Sequence, residues 1–126
     1  MKHLSIIIAV FFSALLGAGI VASGEWASVK KGKALFNDPE LGSTGSSCNT
    51  CHTDGRGLEN TAKKKKWIIG GRVHSTLEEA INYSIVTGLR GSALNVESAE
   101  MQSLVLYIKS LAGKKAANPR KEPLSR

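Results

Sequence analysis

The stretch SSCNTCHTDGRG (residues 46–57) sets Cys48, Cys51 and His52 within five residues, and the 126-residue chain has no other cysteine. Two thiols and an imidazole this close together are built to hold something, and the candidates make different demands on the rest of the chain. A thioredoxin-like redox pair sits where a strand meets a helix in a βαβ unit, and no strand-like alternation precedes Ser47. A zinc site takes four ligands, and beyond the N-terminal leader only His74 remains as a further strong one. A plain disulfide would give His52 no role.

The compartment bears on the choice. Residues 1–26, MKHLSIIIAVFFSALLGAGIVASGEW, run from Lys2 and His3 through an apolar stretch, Leu4 to Val21, to the small residues Ala22, Ser23 and Gly24. That order is a secretory signal peptide over residues 1–23, cleaved near Ala22 or Ser23. Retained as an anchor, it would tether the same domain to the membrane, because the apolar run approaches the ~18 residues needed to span a bilayer. In both cases the body of the protein is exported, which places it in the periplasm. About 100 residues remain, enough for one domain with a modest core that at this size often depends on a staple, a metal or a cofactor. Of the chain's three Phe, Phe11 and Phe12 fall in the leader, so a large cofactor would supply missing apolar volume. Loss of Lys2 lowers the formal charge from +7 to +6. The remaining positive charge gathers at Lys30, Lys31 and Lys33, at Lys63 to Lys66, and in the tail. Export excludes nucleic acid as the partner and leaves acidic proteins, anionic surfaces or small anions.

Within an exported small domain, C-x-x-C followed directly by His is the attachment signature of a c-type haem. Cys48 and Cys51 add to the vinyl groups as thioethers, and His52 is the proximal iron ligand. One covalently attached haem c is the cofactor expected.

Around the motif the pattern is helical. Residues 27–37 read as a short helix with Gly32 and Phe36 four apart on one face. DPELGSTGSS (38–47) and TDGRGLENT (53–61) are turn chemistry. Trp67, Ile68 and Ile69 read as pocket or core lining. Ser75 and Glu78 form a capping box for a helix that stops at Gly88, with Leu77, Ala80, Ile81, Ser84, Ile85 and Gly88 on one stripe. Ser98 is the N-cap of a last helix whose stripe is Met101, Leu104, Val105, Ile108, Leu111 and Ala112, ended by Gly113. Residues 114–126 form a basic tail with too few apolar residues to pack. With several helices and no convincing strand, the fold class expected is all-α.

CNTCH, together with KKGKALFND (30–38) and SAEMQSLVLYIKSL (98–111), resembles the class I cytochromes c across nearly the whole chain after the leader. The resemblance implies a domain over residues 24–113 in which helices wrap one haem. It also implies that the first and last helices cross, with Gly32 and Phe36 against the face near Tyr107. EEAINYSIVTGLRGSALNVESAEMQSLVLYIKSL (78–111) is similar to the haem modules of thiosulfate dehydrogenases and sulfur-oxidation cytochromes. In those an "IN" pair precedes a cysteine that ligates the iron. Ser84 stands at that position here, so neither thiolate ligation nor the sulfur chemistry built on it carries over.

The usual class I sixth ligand, a methionine ahead of the aromatic residue of the last helix, would fall in GLRGSAL (88–94), which has none. Four readings of that side of the iron follow, in this order: ligation by Met101, the one thioether beyond the leader; an open or water-bound pocket beside Ser84; His74; and Asn82. Met101 is also a natural core filler.

The function expected is that of a periplasmic single-haem electron carrier. Lys63 to Lys66 and Arg72 would steer redox partners with acidic docking surfaces. The alternatives are a haem subunit of a sulfur-oxidising system, or a small-ligand (NO, CO or O2) binding protein with an open iron site. No acid–base or nucleophile constellation is visible, so the chain is read as no enzyme by itself and at most as a subunit of an oxidoreductase complex.

Overall fold

The computed structural model of the protein describes residues 26–114. The expected signal peptide and the tail from residue 115 onward lie outside the described residues.

Helix α1 (Val29–Phe36) starts where Ser28 accepts a hydrogen bond from the Lys31 amide at 3.1 Å. Such a cap satisfies one of the N–H groups a helix leaves unpaired at its start. Its buried residues are Gly32 and Phe36, the four-residue spacing of one helix face. That face packs against α4 (Ala99–Ser110) in the most extensive contact between helices. Gly32 is what permits the approach: a Cβ there would overlap the Ser103 carbonyl oxygen and lie 2.8 Å from Tyr107 Cβ. The Phe36 and Tyr107 rings meet edge to face, centroids 5.1 Å apart. The Ser28 amide donates to Ser103 Oγ at 3.1 Å, and Lys31 pairs with Glu100 at 2.9 Å. These contacts explain why Ser103 and Tyr107 are buried although neither lies on the apolar stripe of α4.

Met101 and Leu104 are 0% exposed and Leu111 is 2% exposed, whereas Ala112, expected on the same stripe, is exposed. Helix α3 (Leu77–Thr87) buries Leu77, Ala80, Ile81 and Ile85 of its stripe, whereas Ser84 and Gly88, expected on the same stripe, are exposed. Its cap lies one residue later than expected: Thr76 Oγ1 accepts from the Glu79 amide at 3.1 Å, and Glu79 reaches back to the Ser75 amide at 2.8 Å. The run S-T-L-E-E offers a cap in two registers; Thr76 provides it, and the Glu79 carboxylate meets the amide one residue before the cap instead of closing a capping box on Thr76.

Beside the helices the described residues hold one antiparallel hairpin, where the sequence predicts no convincing strand. Strand β1 (Trp67–Ile69) pairs with β2 (Arg72–His74), Trp67 opposite His74 and Ile68 opposite Val73. Its two-residue turn is Gly70-Gly71, with φ of 58° and 73°, the left-handed backbone that a tight hairpin turn requires and glycine adopts without strain. Each strand has three residues, too short for an alternating pattern to stand out in the sequence.

Candidate functional site

The motif folds as a single helical turn, α2 (Cys48–Cys51). Each intervening residue fastens one end of it. Thr50 Oγ1 accepts from the Ser47 amide at 3.0 Å, and Asn49 Oδ1 accepts from the Asp54 amide at 2.8 Å. Three residues apart on a helical turn, the two sulfurs share a face. Cys48 is half-buried and Cys51 exposed, both as free thiols. Burial pushes the Cys48 thiol up from its ordinary value, a backbone hydrogen bond opposing and Cys51 adding. A dithiol redox centre works the other way, lowering the pKa of its attacking thiol.

His52 follows directly. Its Nδ1 lies 3.0 Å from the Arg56 carbonyl oxygen. A carbonyl only accepts, so Nδ1 carries the proton, and Nε2 is left with its lone pair free to bind a metal. The turn that aims this carbonyl is D-G-R-G, with Asp54, Gly55 and Gly57 all at positive φ. The sequence marks it as a turn; its role as the brace of His52 emerges only in three dimensions.

Cys48, Cys51 and His52 line a cavity of about 540 Å³, within the ~300–1,000 Å³ typical of ligand sites. Leu77, Ala80, Ile81 and Ser84 of α3 form another wall, and Phe36, Leu104 and Ile108 belong to the core side. Strand β1 and Leu58 contribute further apolar surface, and Lys64 also reaches the lining. The space is partly open, and its size and mainly apolar lining are those of ligand sites.

The residues present fit the haem expected from the sequence on three counts. Two thiols and a free imidazole nitrogen converge on one wall, and the remaining lining is mainly apolar. In addition, Trp67, a lining residue, has its Nε1–H buried without a partner. An orphaned buried donor is costly unless an acceptor meets it, and a haem carries carboxylates that can.

The four readings of the iron's other side separate by position. Met101 is not among the lining residues; it is fully buried in the core formed by α1, α3 and α4. Its amide is held by the Ser98 cap at 3.2 Å, which ties down the start of the helix that would have to shift to bring the sulfur to the cavity. Asn82 is committed elsewhere: its side chain donates to the Leu94 carbonyl at 2.9 Å and accepts from the Leu94 amide at 2.8 Å. His74 is outside the lining, its ring 4.8 Å from that of Tyr83 and its Nε2 buried without a partner. Of the four positions Ser84 alone lines the cavity. Met101→Ala is therefore expected to lower stability by about 2–5 kcal/mol, the cost of emptying a buried methionine site, and to leave the absorption spectrum unchanged. Chemical denaturation alongside visible spectroscopy checks both halves.

No family model, no curated protein and no solved structure matches the chain. Among the described residues no helix is long and apolar enough to cross a membrane.

Proposed function

We propose that this chain is an exported monohaem c-type cytochrome that carries single electrons between redox partners. The observation that carries the reading is the cavity itself, with Cys48, Cys51 and His52 on one wall of a mainly apolar space. Cys48 and Cys51 would hold the haem as thioethers, each S–H adding across a vinyl group with no net oxidation. His52 Nε2 would be the nitrogen available to bind the iron, and the Arg56 carbonyl holds the ring in the tautomer this requires. Trp67 Nε1–H offers a hydrogen bond to a carboxylate. The apolar walls exclude water and so raise the cost of the extra charge on oxidised iron. When bound, the haem supplies a reversible one-electron couple.

Acid–acetone extraction tests the covalent link: the colour stays with the polypeptide, and haem released into the acetone overturns the reading. Reversible one-electron reduction of the purified protein tests the carrier role.

The hairpin and the lysine run before it suit a docking surface. Ile68, on the cavity rim, is 76% exposed, and its cross-strand neighbour Val73 is 60% exposed. Lys63 to Lys66 are exposed, as is Arg72. An acidic partner would be steered by these charges and would cover the apolar pair on contact. Changing Lys63 to Lys66 together to glutamine is expected to slow reduction by an acidic donor at least about tenfold at low salt and to flatten the salt dependence. Stopped-flow mixing across a salt series is the measurement. An unchanged low-salt rate would assign the lysines to solubility alone.

A further inference from the structure

Ser84 combines features that neither α3 nor the cavity explains by itself. It lies between Ile81 and Ile85 on the buried stripe of its helix, yet it is exposed, and the space it faces is the cavity. Its hydroxyl donates to the Ala80 carbonyl at 3.0 Å. The oxygen thus turns lone pairs, not a proton, toward the cavity. Leu77, Ala80 and Ile81 beside it are apolar, and no residue that α3 gives the lining is charged.

From this we infer that, with haem bound, the wall around Ser84 would offer the iron no strong protein ligand and would leave room for a small uncharged ligand from outside the protein, of the carbon monoxide or nitric oxide class. The inference rests on the haem reading. A serine hydroxyl already donating to its own helix is a weak ligand for iron. The three stronger or longer side chains that could compete are placed elsewhere: Met101 in the core, Asn82 on the Leu94 backbone, His74 against Tyr83. An anion would have to leave water for apolar surface with no hydrogen-bond donor offered by α3, which is costly. A neutral diatomic meets no such cost. Lys64, the lining cation, is solvent-exposed and belongs to the segment between α2 and β1 instead of the α3 wall.

Holoprotein, purified with its haem, is reduced and titrated with carbon monoxide. The result expected is a spectrum that is high-spin or water-bound before the gas, a shift of the main absorption band on mixing, and the same starting spectrum in Met101→Ala, Lys64→Gln and His74→Gln. Ser84→Leu, which fills the space, is expected to weaken carbon monoxide binding at least about tenfold. Ser84→Ala, which keeps the space, is expected to bind the gas like the parent, so the comparison stands even if the leucine variant assembles poorly. A low-spin parent that ignores carbon monoxide overturns the inference, and loss of that spectrum in one of the three variants identifies the internal ligand. Azide binding the ferric form as tightly as carbon monoxide binds the ferrous form overturns the choice of an uncharged ligand. Loss of all colour on acid–acetone extraction would instead overturn the haem reading on which the inference stands.

Discussion

Replacing Cys48 and Cys51 together with alanine is expected to abolish covalent haem, leaving a colourless chain with much reduced helix content. Both effects follow from the cavity. With both sulfurs gone, no side chain of the lining can form a thioether. A space of about 540 Å³ between α2, α3 and the core would then lose the group proposed to fill it. A domain of this size has a net stability of only ~5–15 kcal/mol, so removing the ligand that binds the native state alone shifts it toward unfolding. Haem staining of a denaturing gel and far-ultraviolet circular dichroism measure the two effects. Haem that still migrates with the double variant would show that the motif is not the attachment point. Each single variant is expected to keep one thioether and part of the colour, which separates attachment from a general folding defect.

Gly32→Ala should produce a large loss of stability for a change of a single methyl group. Alanine in place of glycine ordinarily favours a helix by ~1 kcal/mol. Here the added Cβ would overlap backbone: it meets the Ser103 carbonyl oxygen and comes 2.5 Å from the carbonyl carbon. Neither atom belongs to a flexible side chain that could swing away. The helices must separate, loosening the Phe36–Tyr107 contact and the Ser28–Ser103 hydrogen bond together. Overpacking costs ~1–3 kcal/mol, and a clash with backbone falls at the upper end of that range, which in a domain this small corresponds to a melting temperature lower by about 10 °C. Thermal unfolding of the holoprotein gives the answer, with Gly45→Ala as the reference. Gly45, unlike Gly32, has positive φ, but nothing lies within 4 Å of a Cβ there, so only local backbone strain is expected. If Gly32→Ala melts no lower than the reference, the close crossing does not govern stability.

What the sequence alone determines is local. Cys48, Cys51 and His52 come close together because one helical turn and the residue after it set their spacing, and no distant residue has to be known. The stripes of α3 and α4 are legible for the same reason: a 3.6-residue period records which face is buried. The hairpin escapes this logic. Trp67–Ile69 and Arg72–His74 are too short to display a period, and their only strong mark is Gly70-Gly71.

Tertiary structure decides whatever depends on where separate elements meet. Met101 and Ser84 both lie on apolar helical stripes, and on chemical grounds methionine is the better iron ligand. Helix α1 lying across α4 directs Met101 into the core, while α3 faces the cavity with Ser84. The Arg56 carbonyl that sets the His52 tautomer, and the buried Trp67 N–H left without a partner, are likewise products of folding. A side chain's chemistry is written in its residue type, but which space it faces is settled by packing between helices far apart in the chain.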